Sequence, residues 1–163
     1  MRAKLLPIII GIVLILASGC TKQSNQDVSK IKEKAISVGN TKYCENIEGF
    51  QLREECYTDV AIKTKDAILC EKAGSDKNRC YLRVAEKLKD VELCNKISTT
   101  SEQKDCVGWV GVATQQVSLC KQSSFPDQCI LRIVDKNKDI SLCQSINDPG
   151  YKRDCMNIKL VTQ

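Results

Sequence analysis

The chain has 163 residues, 42% of them hydrophobic but only 4% aromatic, one ordinary domain's length with few large side chains to fill a core. Charged residues make up 28%, with both signs interspersed and a net charge of +5, a balance too mixed to point to nucleic acid or to an electrostatic hold on an anionic membrane. Histidine is absent, which removes His-based triads, the usual His general base and His-ligated haem. Eleven cysteines occur without a CxxC, which argues against thioredoxin-type redox chemistry, c-type haem attachment and most zinc-ribbon sites.

Met1 to Lys4 is short and basic, Leu5 to Ala17 is almost wholly apolar, and Ala17-Ser18-Gly19-Cys20 follows as small residues ending in cysteine. This is the layout of a secretory leader, and the apolar run is too short for a comfortable membrane span. The segment resembles a prokaryotic lipoprotein signal, whose lipobox ends in Gly-Cys. That family usually carries Leu three residues before the cysteine, where this chain has Ala17, with Leu16 one residue earlier. The resemblance implies that residues 1–19 are a signal peptide and that Cys20 carries a lipid such as palmitate. The expected address is extracytoplasmic, anchored to the cell membrane and facing outward. Cys20 is also the one cysteine outside the repeat described next. Residues 20–39 are polar and lack aromatics; Ile31, Ile36 and Val38 allow a short helix, but the composition reads as a flexible tether behind the lipidated cysteine.

From residue 40 to 163 the chain repeats. Four blocks of one length run from Cys56 to Cys70, Cys80 to Cys94, Cys106 to Cys120 and Cys129 to Cys143. Asp66, Asp90 and Asp139 lie four residues before the closing cysteine of three blocks, and Leu69, Leu93, Leu119 and Leu142 immediately precede it. The segments between blocks vary in length, and a fixed block joined by variable ones marks an internal repeat. Five units of about 24 residues result: 40–65, 66–89, 90–115, 116–138 and 139–163. In each, a short helix carries the first cysteine, with Asp66 as an N-cap and Ala67, Cys70 and Ala73 at three-residue spacing. A polar turn follows, then a second helix whose apolar face reads Cys80, Tyr81, Val84, Ala85 and Leu88. Lysines close this helix (Lys63, Lys65, Lys87, Lys89, Lys136, Lys138), where they complement the helix dipole. Each unit is an αα-hairpin, and five stacked hairpins predict an all-α fold, a short α-solenoid. The architecture resembles tetratricopeptide-type repeats, though the unit is about ten residues shorter and lacks that family's characteristic residues.

Pairing inside each hairpin (Cys44–Cys56, Cys70–Cys80, Cys94–Cys106, Cys120–Cys129, Cys143–Cys155) uses ten cysteines, whereas pairing across the fixed block strands Cys44 and Cys155. Bridged Cα atoms must approach to roughly 4.4–6.8 Å, so the two helices must converge there. Cysteines at this density belong to an oxidising compartment, and a thiolate metal store is a distant second reading. Turn length can vary because the bridge closes the turn.

No catalytic constellation, metal site or cofactor motif is visible. Glu54, Glu55, Asp105 and Asp154, just before the second cysteines, suit a helix N-terminus better than acid–base catalysis. Trp109 stands where the other units carry Asp59, Arg83, Arg132 and Ile158, a mostly charged column. It is the one binding candidate, as an exposed interface anchor, although packing against a neighbouring helix with Gly108 and Gly111 making room is favoured. The resulting expectation is a non-enzymatic helical-repeat scaffold, anchored to a membrane by its lipid, that binds a protein or an envelope polymer and no nucleic acid. The alternative is an inhibitor, or a carboxylate-dependent enzyme acting on envelope substrates.

Overall fold

The computed structural model describes residues 24–161, with side chains through residue 158; the leader and Cys20 lie outside the described residues. Secondary structure within that range is helical, with no strand. The α-helices are α1 (Asn25–Val38), α2 (Phe50–Thr64), α3 (Lys77–Leu88), α4 (Thr100–Thr114), α5 (Val117–Cys120), α6 (Pro126–Asn137) and α7 (Pro149–Val161). Between them run 3-10 helices at Thr41–Asn46, Ala67–Asp76, Val91–Lys96 and Ile140–Ser145.

Two layers result. The long helices lie side by side, α1 on α2, α2 on α3, α3 on α4, α4 on α6 and α6 on α7. The short segments form the other layer, each wedged between successive long helices, as Ala67–Asp76 is between α2 and α3. This is the stapled helical repeat that the cysteine spacing predicts. The first arm of most hairpins is a 3-10 helix because its apolar residues recur every third position, as Val91, Cys94 and Ile97 do, which matches three residues per turn. Its start is set by a side-chain cap: Asn40, Asp66, Asp90 and Asp139 each accept the backbone N–H two residues ahead.

The preceding residue turns the chain from one repeat to the next. Gly39, Lys65, Lys89, Gln115 and Lys138 all sit in the left-handed region, at φ of 64°, 58°, 58°, 59° and 62°. In the first four, the backbone N–H closes onto two carbonyls of the last helical turn; at Lys138 it closes onto the Val134 carbonyl. The terminal lysines therefore form the C-caps themselves. A left-handed non-glycine residue costs about 1–2 kcal/mol, which the capped carbonyls offset.

The variable segments differ from expectation in an instructive way. Helices α2, α4 and α7 begin six residues before their cysteines, whereas α3 and α6 begin three before theirs. The extra residues add one N-terminal helical turn; the connection from the first cysteine to the helix start hardly changes.

The structure also corrects the reading of residues 25–38 as tether. They form α1, which packs on α2 and on Thr41–Asn46. Ser24 caps it by accepting the Asp27 N–H, Val28 and Ala35 are buried, and Gly39 closes it. Helix α1 thus repeats the second arm of a hairpin without its cysteine, and covers the first core in the way a terminal repeat must.

All five disulfides form within hairpins, with Cα–Cα separations of 5.4–5.7 Å. All ten bridged cysteines are buried, alongside Val60, Val84, Val110, Ile133 and Ile146. With so few aromatics, the bridges themselves occupy the centre of each core. Such a set of buried bridges belongs to an oxidising, extracytoplasmic compartment. No helix among the described residues is long and apolar enough to cross a membrane.

Candidate functional site: clefts along the long-helix face

Because the long helices lie side by side, residues three positions after the second cysteines meet across neighbouring helices at two places. Asp59 on α2 pairs with Lys32 on α1 at 2.9 Å and with Arg83 on α3 at 3.6 Å. Further along, the Arg132 guanidinium of α6 lies over the Trp109 ring of α4, 4.8 Å from its centroid. Trp109 also meets the Phe125 ring, centroids 5.6 Å apart and tilted by 53°. Trp109 is half-buried, a rung between repeats rather than a free anchor.

The glycines beside it serve other neighbours. A Cβ on Gly108 would sit 2.7 Å from both Phe125 Cζ and Ser123 Cβ, and one on Gly111 would sit 3.1 Å from the Cys120 nitrogen. They let the fourth hairpin close onto α4. Gly108→Ala is accordingly expected to lower stability by about 1–3 kcal/mol, the range for overpacking a tight contact, measured by urea denaturation followed through the single tryptophan. An unchanged midpoint would show that Phe125 moves freely.

Grooves remain between the long helices. One of about 370 Å³ lies between α6 and α7, lined by Leu131, Arg132, Tyr151 and Asp154 among others. A more enclosed cleft of about 250 Å³ lies between α2 and α3, lined by Gln51, Glu54, Glu55, Thr58, Asp76, Arg79, Cys80 and Arg83. Of the four acidic residues flanking second cysteines, Glu55 pairs with Lys32 at 3.5 Å, Asp105 accepts from the Ser124 hydroxyl, and Asp154 lines the α6/α7 groove. Glu54 is different. It lies in the second turn of α2, not at its N-terminus, and is only 3% exposed.

The repeat explains why Glu54 stands out. Two positions before the second cysteine, α3 carries Asn78 and α6 carries Asp127. Each accepts backbone N–H groups from the turn of the following hairpin: Asn78 from Ser98 at 3.3 Å, Asp127 from Asn147 at 3.0 Å and Asp148 at 2.7 Å. Glu54 occupies the same register and faces the corresponding turn, where a Cβ on Gly74 would lie 3.2 Å from its Oε1. That turn is distorted, with Gly74 at φ 53° and ψ −120°, a conformation that excludes ordinary side chains. Both carboxylate oxygens of Glu54 are buried, and neither makes a hydrogen bond of ordinary geometry. Burial first, then the negative charge of Asp76 and a side-chain contact with it, push the Glu54 carboxyl above the usual carboxylate range, with the Asp76 backbone N–H and then Arg53 opposing.

The neighbouring Glu71 behaves in the opposite way. It accepts from Lys77 at 2.5 Å and from the Tyr81 hydroxyl at 2.7 Å, and these bonds hold it below the ordinary value. Burial, then the bond to Glu71, push Tyr81 up to about 12. Across two adjacent hairpins, then, one carboxylate is well bonded and one is not.

Sequence reasoning missed Glu54 because acidic residues near a helix start are ordinary. The available signal was the combination of a carboxylate on the flank of the apolar face with a glycine, Gly74, in the facing turn. Among the described residues no group of three or more His, Cys, Asp or Glu side chains is placed to hold a metal ion. A scan against protein-family models finds no match, and neither do searches of curated proteins and of solved structures.

Proposed function

We propose that this chain is an outward-facing lipoprotein, held on the membrane by a lipid on Cys20, whose solenoid serves as a binding scaffold for a protein or polymer of the cell envelope. The observation that carries the reading is the row of clefts between successive long helices, lined by polar and charged side chains on rigid, disulfide-stapled supports. Helix α1 begins within a few residues of Cys20, so the anchor tethers the solenoid close to the membrane. The two halves of the proposal have separate tests. Cys20→Ala is expected to abolish incorporation of a palmitate analogue and release the chain from the membrane fraction; retained label would sink the anchor. For binding, a photo-cross-linking residue at Arg79 or Tyr151 is expected to give envelope adducts that one at Asn95, on the 3-10 layer, does not. Equal adducts from all three positions, or none, would sink the scaffold.

The Glu54–Asp76 pair favours a second reading, a carboxylate-dependent enzyme on envelope substrates. That reading requires turnover which Glu54→Gln abolishes; the scaffold requires binding without turnover.

A further inference from the structure

Successive long helices run parallel. Between α1 and α2 the contacts keep one order along both segments: Asn25 shares a groove with Leu52, Lys32 pairs with Glu55 and Asp59, and Gly39 lies beside the Thr64 side chain. Between α4 and α6 the order is Asp105 with Ser124, Trp109 with Arg132 and Gln115 with Asn137. The N-termini of the long helices therefore gather on one edge of the solenoid and their C-termini on the other. Asn25, the first residue of α1, stands five residues after Cys20, a stretch that spans at most about 18 Å. Helix α1 itself, 14 residues long, extends about 21 Å. A lipid on Cys20 thus keeps the N-terminal edge at α1 and α2 within reach of the membrane and leaves the opposite edge a helix length farther away.

Two exposed apolar side chains stand at this corner. Phe50 and Leu52, in the first turn of α2, are 52% and 39% exposed, and residues 49–52 carry no charge. Single exposed apolar residues are ordinary on a protein surface, and Val38 and Ile68 are more exposed still. Those two belong to the opposite edge, Val38 at the end of α1 and Ile68 just beyond α2. Position, not exposure, sets Phe50 and Leu52 apart.

We infer that this corner rests on the bilayer, with the Phe50 and Leu52 side chains inserted at the boundary of head groups and acyl chains, beside the lipid on Cys20. The inference rests on the anchor of the proposed function and adds an orientation to it. The two broad faces suit that contact less well. The long-helix face carries Lys32, Asp59 and Arg83, and the 3-10 layer exposes Glu45, Glu71 and Glu92, charges that are costly to press into an apolar boundary. An edge-on stance also keeps the clefts between long helices open to an envelope partner.

The test uses the chain as extracted from membranes, returned to phosphatidylcholine vesicles doped with a lipid whose acyl chain bears a diazirine. After illumination, reduction and tryptic digestion, adducts are expected on peptide 43–53, which holds Phe50 and Leu52, and not on peptide 66–72, which holds Ile68. Adducts on both, or none on 43–53, overturn the inference. A second measurement weakens the anchor. The unacylated chain from residue 20 is coupled through Cys20, the one cysteine outside the five bridges, to a single myristoyl-length chain, which holds a protein on vesicles only marginally. Phe50→Ser/Leu52→Ser is expected to partition at least about tenfold more weakly than wild type, the factor that partial burial of two such side chains is worth. Ile68→Ser is expected to partition as wild type, and circular dichroism checks that each variant keeps its helices. Equal partitioning of all three chains overturns the inference. An extracted chain without an acyl group sinks the anchor reading by itself, and the coupled chain still decides whether this corner meets the bilayer.

Discussion

Full reduction of the chain is expected to unfold it at 25 °C, with loss of the helical circular dichroism signal and rapid tryptic cleavage between residues 40 and 158. Helices of 12–15 residues are marginal alone in water, and these have little large apolar surface to bury. Each bridge closes a loop of 9–12 residues, worth about 3 kcal/mol in loop entropy, so five together rival the roughly 5–15 kcal/mol net stability of an ordinary domain. Removing one bridge should be graded by position. The Cys94→Ala/Cys106→Ala chain loses about 3 kcal/mol across the whole solenoid, because α4 joins the repeats on both sides. The Cys143→Ala/Cys155→Ala chain frays α7 alone, since α7 packs mainly on α6 and Ile140–Ser145. Urea transitions followed by circular dichroism and by Trp109 fluorescence separate the two. A reduced chain that keeps its helices would show that packing, not cross-linking, holds the fold.

Glu54→Gln is expected to raise stability at pH 7, because the amide fills the same space without a buried negative charge beside Asp76. The gain should depend on pH. The folded-state value of Glu54 is raised, so the folded chain holds a proton that the unfolded chain gives up near pH 4.5. The stability contributed by that proton is fully present below the unfolded value and is lost as pH rises through the folded one. Wild type and variant should therefore melt together at pH 4 and diverge as pH rises. The groups facing Glu54 are Asp76 from the turn, Arg53 and Glu55 on α2, and Arg79 and Arg83 on α3. Asp76 is the one that makes a second negative charge unfavourable, so Asp76→Asn should shrink the divergence without removing it, burial being the larger cause. Parallel melting curves for wild type and variant across pH 4–8 would refute the assignment.

Trp109 and Glu54 show how much of the candidate site was legible. The column shared by Asp59, Arg83, Trp109 and Arg132 follows from counting three residues past each second cysteine, because every second helix carries its cysteine at the same place on its buried face. Which members of the column touch could not be counted. The Asp59–Arg83 contact and the Arg132–Trp109 contact depend on how far each helix is displaced from the next. Glu54 was harder still. Its composition and place match those of Asp127, and only the shape of the facing turn leaves one carboxylate bonded and the other without an ordinary hydrogen bond. Helix α1 was passed over for a related reason. Its apolar residues Val28, Ile31, Ala35 and Ile36 are too few to stabilise a helix in isolation, and it forms by burying them on the first hairpin.

By itself the sequence determined the repeat, the pairing of the cysteines and the helical class, because all three are written in local spacing: fourteen residues between cysteines of a block, three between apolar positions of a first arm, an Asp or Asn to start it. The tertiary structure alone decided that lengthened segments become an added helical turn and that α1 closes the stack. It also decided which carboxylate between α2 and α3 is buried without an ordinary hydrogen bond. Those outcomes depend on the fit of one repeat against the next. A buried polar group is satisfied or stranded by displacements of about an ångström, and no spacing along the chain encodes them.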